Sequence, residues 1–229
     1  MVYRMYLVLK DLFVKNLVLQ EGGYPFYIPL IGALVAAWLL PILRIWLLVF
    51  TALYALFFIF FFRNPDRFLL ENELDESVIV SPCDGKIVAI EDMTTNSQQY
   101  AKKISIFLSP LDVHVNWIPM DGTIKEIIYH RGSFYPAFLP KASELNERND
   151  VVIINNRGQQ IKLRQITGTL ARTIVCWVET GELVKQGHRY GMMKFGSRID
   201  MFVPSSAAID VTLGQRVSGG LTVLGRWIS

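Results

Sequence analysis

Residues 102–130 read KKISIFLSPLDVHVNWIPMDGTIKEIIYH. Three runs rich in Val, Ile and aromatic residues are separated by a Ser-Pro and an Asp-Gly pair, which is the pattern of short β-strands joined by turns. The same pattern covers the chain after Asn64-Pro65. The runs are SVIVSP, GKIVAIED, KKISIFLS, VHVNWIP, GTIKEIIYH, DVVIINN, QIKLRQI, ARTIVCWV, RIDMFVP and AAIDVTL. We predict a mainly β domain of antiparallel, barrel-sandwich-like sheets.

An apolar stretch precedes this region. Residues 25–62 carry a single charge, Arg44, and prolines at 29 and 41. A helix needs roughly 20 residues to cross a bilayer, so the stretch divides at Pro41 to Arg44 into two spans or a tight helical membrane hairpin. We predict a membrane-anchoring segment over residues 1–63 and a β-rich domain over residues 64–229.

The flanks of the apolar stretch are cationic. The residues concerned are Arg4, Lys10, Lys15, Arg63 and Arg67. The positive-inside tendency therefore places both flanks in the cytoplasm. We predict a protein of the cell's inner membrane whose β-rich domain is cytoplasmic.

Composition excludes several classes of partner. The 229 residues carry a formal net charge of only +3 and no long basic run, so we predict no nucleic-acid partner. Cys83 and Cys176 lack any metal-binding spacing, and three histidines are too few for a His-rich site, so we predict no metal. We interpret both cysteines as reduced thiols.

Polar residues among apolar strands are the first candidates for chemistry, because burying them without a partner costs stability. His114 lies in the run VHVNW, where alternation places it on the same face as Asn116. Spacing alone favours a structural, hydrogen-bonded histidine. Asp84 is followed by Gly85, and that pair is more typical of a turn than of an acid or base.

Several motifs in one order are more specific. They are FFRNPDR, SPCDGKI, DVHVNWIPMDGTI, KASELNERN, QITGTLAR and YGMMKFGSRIDMFVP. The ordered set resembles the short form of phosphatidylserine decarboxylase over nearly all of residues 20–215. Longer members of that family cleave themselves within a Leu-Gly-Ser-Thr sequence. Residues 224–227 read LGRW here and lack the serine, so the matching bond is Gly196-Ser197.

The resemblance implies a self-cleaving lyase that converts phosphatidylserine to phosphatidylethanolamine and carbon dioxide. Cleavage between Gly196 and Ser197 would give a β subunit of residues 1–196 and an α subunit of residues 197–229. Ser197 would become a covalent pyruvoyl cofactor that forms a Schiff base with the substrate amine and serves as the electron sink.

The resemblance also suggests which residues assist. The family's SPxDG aspartate corresponds to Asp84, which we assign to self-cleavage, and its strand histidine to His114, which we assign to acid–base chemistry in decarboxylation. Longer members have a second histidine close by, whereas here Trp117 stands nearby, so whether His114 serves maturation, decarboxylation or both stays open. His130 and His188 fall outside the matching motifs, and we expect ordinary surface or loop positions for them.

A polar cluster follows the apolar sequence PAFLP. Its members are Lys141, Ser143, Asn146, Glu147 and Arg148. The composition suits a substrate-binding loop near a lipid headgroup, and a solvated turn fits it equally well. Arg198 has two interpretations as well, a bidentate contact to a substrate phosphate or carboxylate, or a structural ion pair with Asp200 or another acid.

Three other possibilities stay open. The half-barrel pattern ETGELVKQGHRYGMM, with Met192-Met193-Lys194, also fits a non-catalytic membrane-tethered adaptor or carrier protein. An ether-lipid serine headgroup or a soluble amino acid would engage the same pyruvoyl chemistry, although the apolar hairpin favours a membrane lipid. The exposed edges of a β domain make a homodimer through strand pairing a further hypothesis.

Overall fold

The computed structural model describes residues 23–67, 77–93, 99–169, 173–194 and 197–228. Gly196 of the predicted cleavage bond and the first 22 residues of the predicted anchoring segment lie outside these ranges. The chain separates into two compact units, one ending at Asp66 and the other beginning at Arg67. We call them the helical unit and the strand unit.

The helical unit is a pair of apolar helices. Helix α1 spans Gly23–Leu39, a 3₁₀ turn spans Pro41–Leu43, and helix α2 spans Arg44–Phe61. The ring centroids of Phe26, early in α1, and Phe58, late in α2, lie 5.0 Å apart, so the two helices run antiparallel. Proline at 41 has no N–H to continue α1, which is why the chain turns there. Arg44 Nε donates to the carbonyl of Ala37 at 3.1 Å across this turn.

The surface of this unit is apolar. Trp38 is 75% exposed, Ile42 93% and Trp46 72%. Side chains of this kind normally contact other apolar groups, so such a surface is typical of lipid contact. Among the described residues, Pro41–Phe61 is the one helix long and apolar enough to cross a membrane, and Phe26–Leu39 is shorter. The predicted apolar helical segment is confirmed.

The strand unit contains short strands and one short helix among its described residues. The strands are β1 Val78–Val80, β2 Gly85–Asp92, β3 Lys102–Leu108, β4 Val115–Trp117, β5 Gly122–His130, β6 Arg148–Ile154, β7 Gln160–Ile166, β8 Thr173–Cys176, β9 Leu183–Val184, β10 Arg189–Lys194, β11 Ser197–Val203, β12 Ala207–Ile209, β13 Arg216–Val217 and β14 Val223–Trp227. Helix α3 spans Ala142–Leu145.

The strands form three antiparallel sheets. The largest has the order β13-β2-β3-β11-β7-β6-β5-β9, and the two smaller ones have the orders β4-β10-β8 and β1-β14-β12. This confirms the predicted mainly β, antiparallel fold. Strands β9, β10, β13 and β14 were not among the ten predicted runs. Strands β9 and β13 have two residues each, which are too few to show an alternating pattern.

Strand β11 lies in the middle of the largest sheet and is buried along its whole length. Ile199, Met201 and Val203 alternate along it and join the hydrophobic core. The intervening positions include Arg198 and Asp200, which are buried on the other face. Because both faces of β11 are covered, its polar side chains must find partners inside the protein.

Burial in the core predicts that two Leu→Ala variants differ in their free energy of unfolding. Leu163 in β7 is fully buried, whereas Leu183 in β9 is 83% exposed. We expect Leu163→Ala to lower the free energy of unfolding by about 2–5 kcal/mol, since it leaves a cavity in the core. Leu183→Ala should cost less than about 0.5 kcal/mol. Denaturant unfolding of the detergent-solubilised protein checks this, and equal losses in the two variants would contradict the placement of the core.

Candidate active site

Most of the predicted site residues lie at one end of the largest sheet. Strand register aligns one residue from each of six neighbouring strands in a row, namely Lys86, Phe107, Arg198, Ile166, Arg148 and His130. Three candidate residues lie just beyond this row, all on the same side of it. They are Asp84 before Lys86, Ser197 before Arg198 and Glu147 before Arg148. Neighbouring strands lie about 4.8 Å apart, so the backbones at Asp84 and Ser197 are about 10 Å apart.

Ser197 is the first residue of β11 and pairs with Leu108 of β3. It is fully buried, and within the described ranges its Oγ atom has no hydrogen-bond partner. A buried hydroxyl normally has one, because an unpaired polar group costs free energy. An unpaired hydroxyl at this position is therefore a candidate for a reactive group.

His114 lies between β3 and β4 and is fully buried. Its carbonyl accepts a hydrogen bond from the N–H of Met193 at 3.1 Å, four residues before Ser197. Its Nδ1 lies 2.9 Å from the carbonyl oxygen of Asp112. A carbonyl only accepts, so Nδ1 carries the proton and Nε2 is the basic nitrogen. The side chain thus has one defined tautomer, as a general base needs.

A chain of buried amides reaches the His114 backbone. Asn149 Nδ2 donates to Gln165 Oε1 at 3.0 Å, and Gln165 Nε2 donates to Asn116 Oδ1 at 2.8 Å. Asn116 Nδ2 lies 3.4 Å from the His114 carbonyl. The chain joins β6 and β7 of the large sheet to β4 of a small one. Sequence reasoning included Asn149 in a polar cluster but missed Gln165, whose only signal was a polar residue within an apolar strand.

Asp84 occupies the turn before β2, as its Asp-Gly pair predicts. Arg67 forms a two-pronged ion pair with it, with Nη2 and Oδ2 2.8 Å apart and Nη1 bonded to Oδ1. The N–H of Gly219 donates to Oδ1 at 2.8 Å. Charge-assisted bonds of this kind fix a carboxylate in one orientation. Sequence analysis identified Arg67 only as a cation flanking the apolar stretch and missed this pairing.

Trp117 supports that ion pair. The Arg67 guanidinium lies 4.3 Å above its ring centroid, and the indole is almost fully buried. A Cβ atom at Gly219 would lie 2.3 Å from the indole, so only glycine allows the chain to pass there. Trp117 is thus a platform for Arg67 and Asp84.

Cys83, the residue before Asp84, is not a nucleophile. Cys83 is fully buried. Desolvation, followed by the charges of Asp84 and Asp112, raises the pKa of its thiol well above the ordinary value. Burial likewise raises the pKa of the half-buried Cys176. Both groups are therefore neutral thiols at pH 7.

Arg198 forms the ion pair with Asp200 that was one of its two interpretations. Its Nε lies 2.8 Å from Oδ1, its Nη2 lies 3.0 Å from Oδ2, and both side chains are almost fully buried. Ser143 Oγ donates to Asp200 Oδ2 at 2.6 Å. The remaining Arg198 donor, Nη1, bonds to the carbonyls of Ala137 and Leu139, each at 3.1 Å. Substrate contact by Arg198 or Ser143 stays a prediction.

The other members of the polar cluster have different environments. Asn146 is fully buried and bonds to the backbone of Tyr135 and to the carbonyl of Thr167 at 2.7–3.0 Å. Arg148 Nη1 donates to the Glu144 carbonyl at 2.6 Å. The side chain of Glu147 is hydrogen-bonded to Tyr129. Lys141 is exposed, with its Nζ atom 4.0 Å from the Tyr135 ring centroid. Of these side chains, Lys141 is best placed to meet a ligand.

The carrier interpretation requires an exposed lysine at a hairpin tip. Lys194 instead lies within β10, is partly buried and pairs with Thr173 of β8. Met192 and Met193 beside it are fully buried. These positions are those of a core strand.

The Arg198–Asp200 pair predicts a stability difference. Asp200→Asn removes one buried charge and leaves the guanidinium uncompensated, so we expect a loss of about 3–5 kcal/mol in the free energy of unfolding. Asp210 forms an exposed pair with Arg226 at 3.7 Å, and Asp210→Asn should cost less than about 1 kcal/mol. Denaturant unfolding checks both variants. A small loss for Asp200→Asn would mean that the guanidinium finds other partners.

Comparison with known proteins identifies relatives of this chain. A family model described as phosphatidylserine decarboxylase matches residues 54–225. The phosphatidylserine decarboxylase proenzyme of Syntrophus aciditrophicus is 41% identical over 90% of this chain and 96% of its own length. That of Carboxydothermus hydrogenoformans is 42% identical over 93% and 98%, and that of Bacteroides thetaiotaomicron 44% over 72% and 73%.

The family match covers strands β1 to β13 and includes Ser197, His114 and Asp84. Matches above 40% identity that extend over nearly the whole of two relatives leave no large region unaccounted for. The chain therefore belongs to the phosphatidylserine decarboxylase family.

Proposed function

We propose that this chain decarboxylates phosphatidylserine to phosphatidylethanolamine and carbon dioxide after cleaving itself between Gly196 and Ser197. The observation that carries the proposal is the Ser197 hydroxyl, buried at the start of β11 and without a hydrogen-bond partner in the described ranges. Family membership supports it, and so does the name proenzyme that the relatives carry. The apolar helical unit supports a membrane location, which we assign to the inner membrane with the strand unit in the cytoplasm.

Ser197 fits the precursor of a pyruvoyl group. Among the described residues its hydroxyl has no hydrogen bond that would have to be broken before it reacts, and its burial keeps competing water away. Once formed, the group supplies the electron sink that the carbanion needs when carbon dioxide leaves. Amino-acid side chains do not offer such a ketone.

Maturation follows from the position of this hydroxyl. A base takes the Ser197 proton, and Oγ attacks the carbonyl carbon of Gly196, so the C–N bond breaks and an ester forms. β-Elimination then breaks the ester C–O bond, releasing a carboxylate at Gly196 and leaving dehydroalanine at position 197. Tautomerisation and hydrolysis release ammonia and leave the pyruvoyl group at the start of the α subunit.

Asp84 and His114 are the proposed proton carriers. The carboxylate of Asp84 is oriented by Arg67 and the Gly219 N–H, and we assign it to self-cleavage. The Nδ1–H of His114 is held by the Asp112 carbonyl, so Nε2 is the atom that holds or releases a proton during decarboxylation. We assign Lys141 to the anionic headgroup, and Ser143, Asn146, Glu147, Arg148 and Arg198 to the framework around it.

Intact mass spectrometry tests the cleavage. The wild type should contain two chains, residues 1–196 and a pyruvoyl-blocked fragment of residues 197–229. Ser197→Ala should remain a single chain of 229 residues, because the nucleophile is gone. Ser205→Ala, an exposed serine in the turn after β11, is the matched control and should cleave normally. An uncleaved wild type would remove the electron sink and refute the proposed chemistry.

Two variants separate the roles of the proton carriers. Asp84→Asn should slow self-cleavage by about a hundredfold or more, since the carboxylate base is lost. His114→Gln should lower decarboxylation per cleaved chain by about a hundredfold to ten-thousandfold. Cleavage is followed by gel and activity by product formation in phosphatidylserine vesicles. The exposed His188→Gln and Asp210→Asn are the controls. Normal cleavage in Asp84→Asn would reject its assignment.

A further inference from the structure

An exposed aromatic loop lies between β5 and α3. We call residues 131–140, which read RGSFYPAFLP, the aromatic loop. Phe138 is 61% exposed and Tyr135 is 38% exposed, while Leu145 of the adjoining α3 is 50% exposed. A single exposed apolar side chain is ordinary in proteins. Three of them in neighbouring segments indicate a surface that binds another apolar partner.

The protein holds this loop in place from inside. Arg198 Nη1 bonds to the carbonyls of Ala137 and Leu139, the two residues on either side of Phe138. Ala137 itself is buried. Asn146 bonds to both the N–H and the carbonyl of Tyr135. Phe138 is therefore held outward by a fixed backbone.

The aromatic loop adjoins the candidate active site. The ring of Phe138 contacts that of Phe107 edge to face, with centroids 6.4 Å apart. Phe107 pairs in register with Arg198, the residue after Ser197. The loop thus covers the end of the sheet at which Ser197 lies.

The charged residues of the aromatic loop and its next residue, Lys141, are positive. Residues 131–143 contain Arg131 and Lys141, both exposed, and no acidic residue. The nearest acid in the chain, Glu144, forms ion pairs with Arg164 at 2.6 Å and with Arg148 at 3.9 Å. Exposed aromatic side chains beside surface cations are typical of segments that enter the interface of an anionic bilayer.

We propose that the aromatic loop inserts Phe138 into the surface of an anionic bilayer, with Arg131 and Lys141 at the level of the phosphates. The insertion orients the strand unit so that its Ser197 end faces the lipid headgroups. The helical unit keeps the chain at the membrane, and the loop adds a second contact that sets the orientation. The inference rests on the proposed function for its purpose, since a headgroup must reach Ser197 while its acyl chains stay in the bilayer.

A fluorescent label on the loop tests the insertion in the full chain. Phe138→Cys is made in a Cys176→Ala background and labelled with nitrobenzoxadiazole, because Cys83 is buried and its raised thiol pKa keeps it unreactive. The protein is placed in vesicles of phosphatidylglycerol and phosphatidylcholine. We expect nitroxides attached high on the lipid acyl chains to quench the label, and aqueous iodide not to quench it.

Leu183→Cys in the same background is the matched control. Leu183 is 83% exposed and pairs with Thr123 at the start of β5, whereas the aromatic loop follows the end of β5. The two labels are therefore separated by about 23 Å along that strand. The Leu183→Cys label should be quenched by iodide and not by the lipid nitroxides.

Three results would overturn the inference. Quenching of the loop label by iodide alone would place Phe138 in water. Protection from both quenchers, together with disulfide cross-linking between loops when the unlabelled Phe138→Cys protein is oxidised, would show that a second copy of the chain covers the patch. Equal lipid quenching at positions 138 and 183 would mean that the loop has no special contact. The label reports membrane contact without any enzymatic turnover. The insertion can therefore be confirmed or refuted even if the decarboxylase proposal fails.

Kinetics supply a second readout. We expect Phe138→Ser to raise the apparent KM for phosphatidylserine in vesicles about tenfold, as the loss of one partly inserted aromatic ring implies. The rate with a short-chain phosphatidylserine dissolved below its micelle concentration should not change, and self-cleavage should be normal. An equal loss with both substrates would assign Phe138 to the folding of the site and refute a role in membrane contact.

Discussion

The buried Arg198–Asp200 ion pair organises the site. Taking two charges out of water is costly, and the cost is offset only when every remaining donor and acceptor has a partner. Asp200 therefore accepts from Ser143 at the start of α3, and Arg198 donates to two carbonyls of the aromatic loop. The need to pair these buried charges thus connects the central strand β11, helix α3 and the aromatic loop through Arg198, the residue after Ser197.

Hydrogen bonds and ion pairs also restrain the other two candidate residues, Asp84 and His114. Asp84 is held by Arg67, which lies on Trp117, and His114 has its tautomer set by the Asp112 carbonyl. The amide chain from Asn149 to Asn116 links the sheet that carries Ser197 to the strand that follows His114. Groups restrained in this way need little reorganisation when they react, which is how a folded site lowers a barrier.

The proposed membrane contact and the candidate active site lie at the same end of the sheet. The row from Lys86 to His130 places Asp84, Ser197 and the aromatic loop at that end. Strand register alone produces this grouping, because antiparallel neighbours align residues that are far apart in the chain. A lipid-modifying enzyme gains from it, since its substrate approaches from one side only.

Local patterns were enough to predict most of the strands, the apolar hairpin and the turn at Asp84, because alternation, hydrophobic length and Asp-Gly pairs act over a few residues. The ordered motifs likewise indicated the family and singled out Ser197. Sequence left Arg198 with two interpretations and missed the pairing of Arg67, the platform role of Trp117 and the Gln165 amide chain. Those depend on partners such as Gly219, 152 residues from Arg67 along the chain, which only folding brings within hydrogen-bond distance.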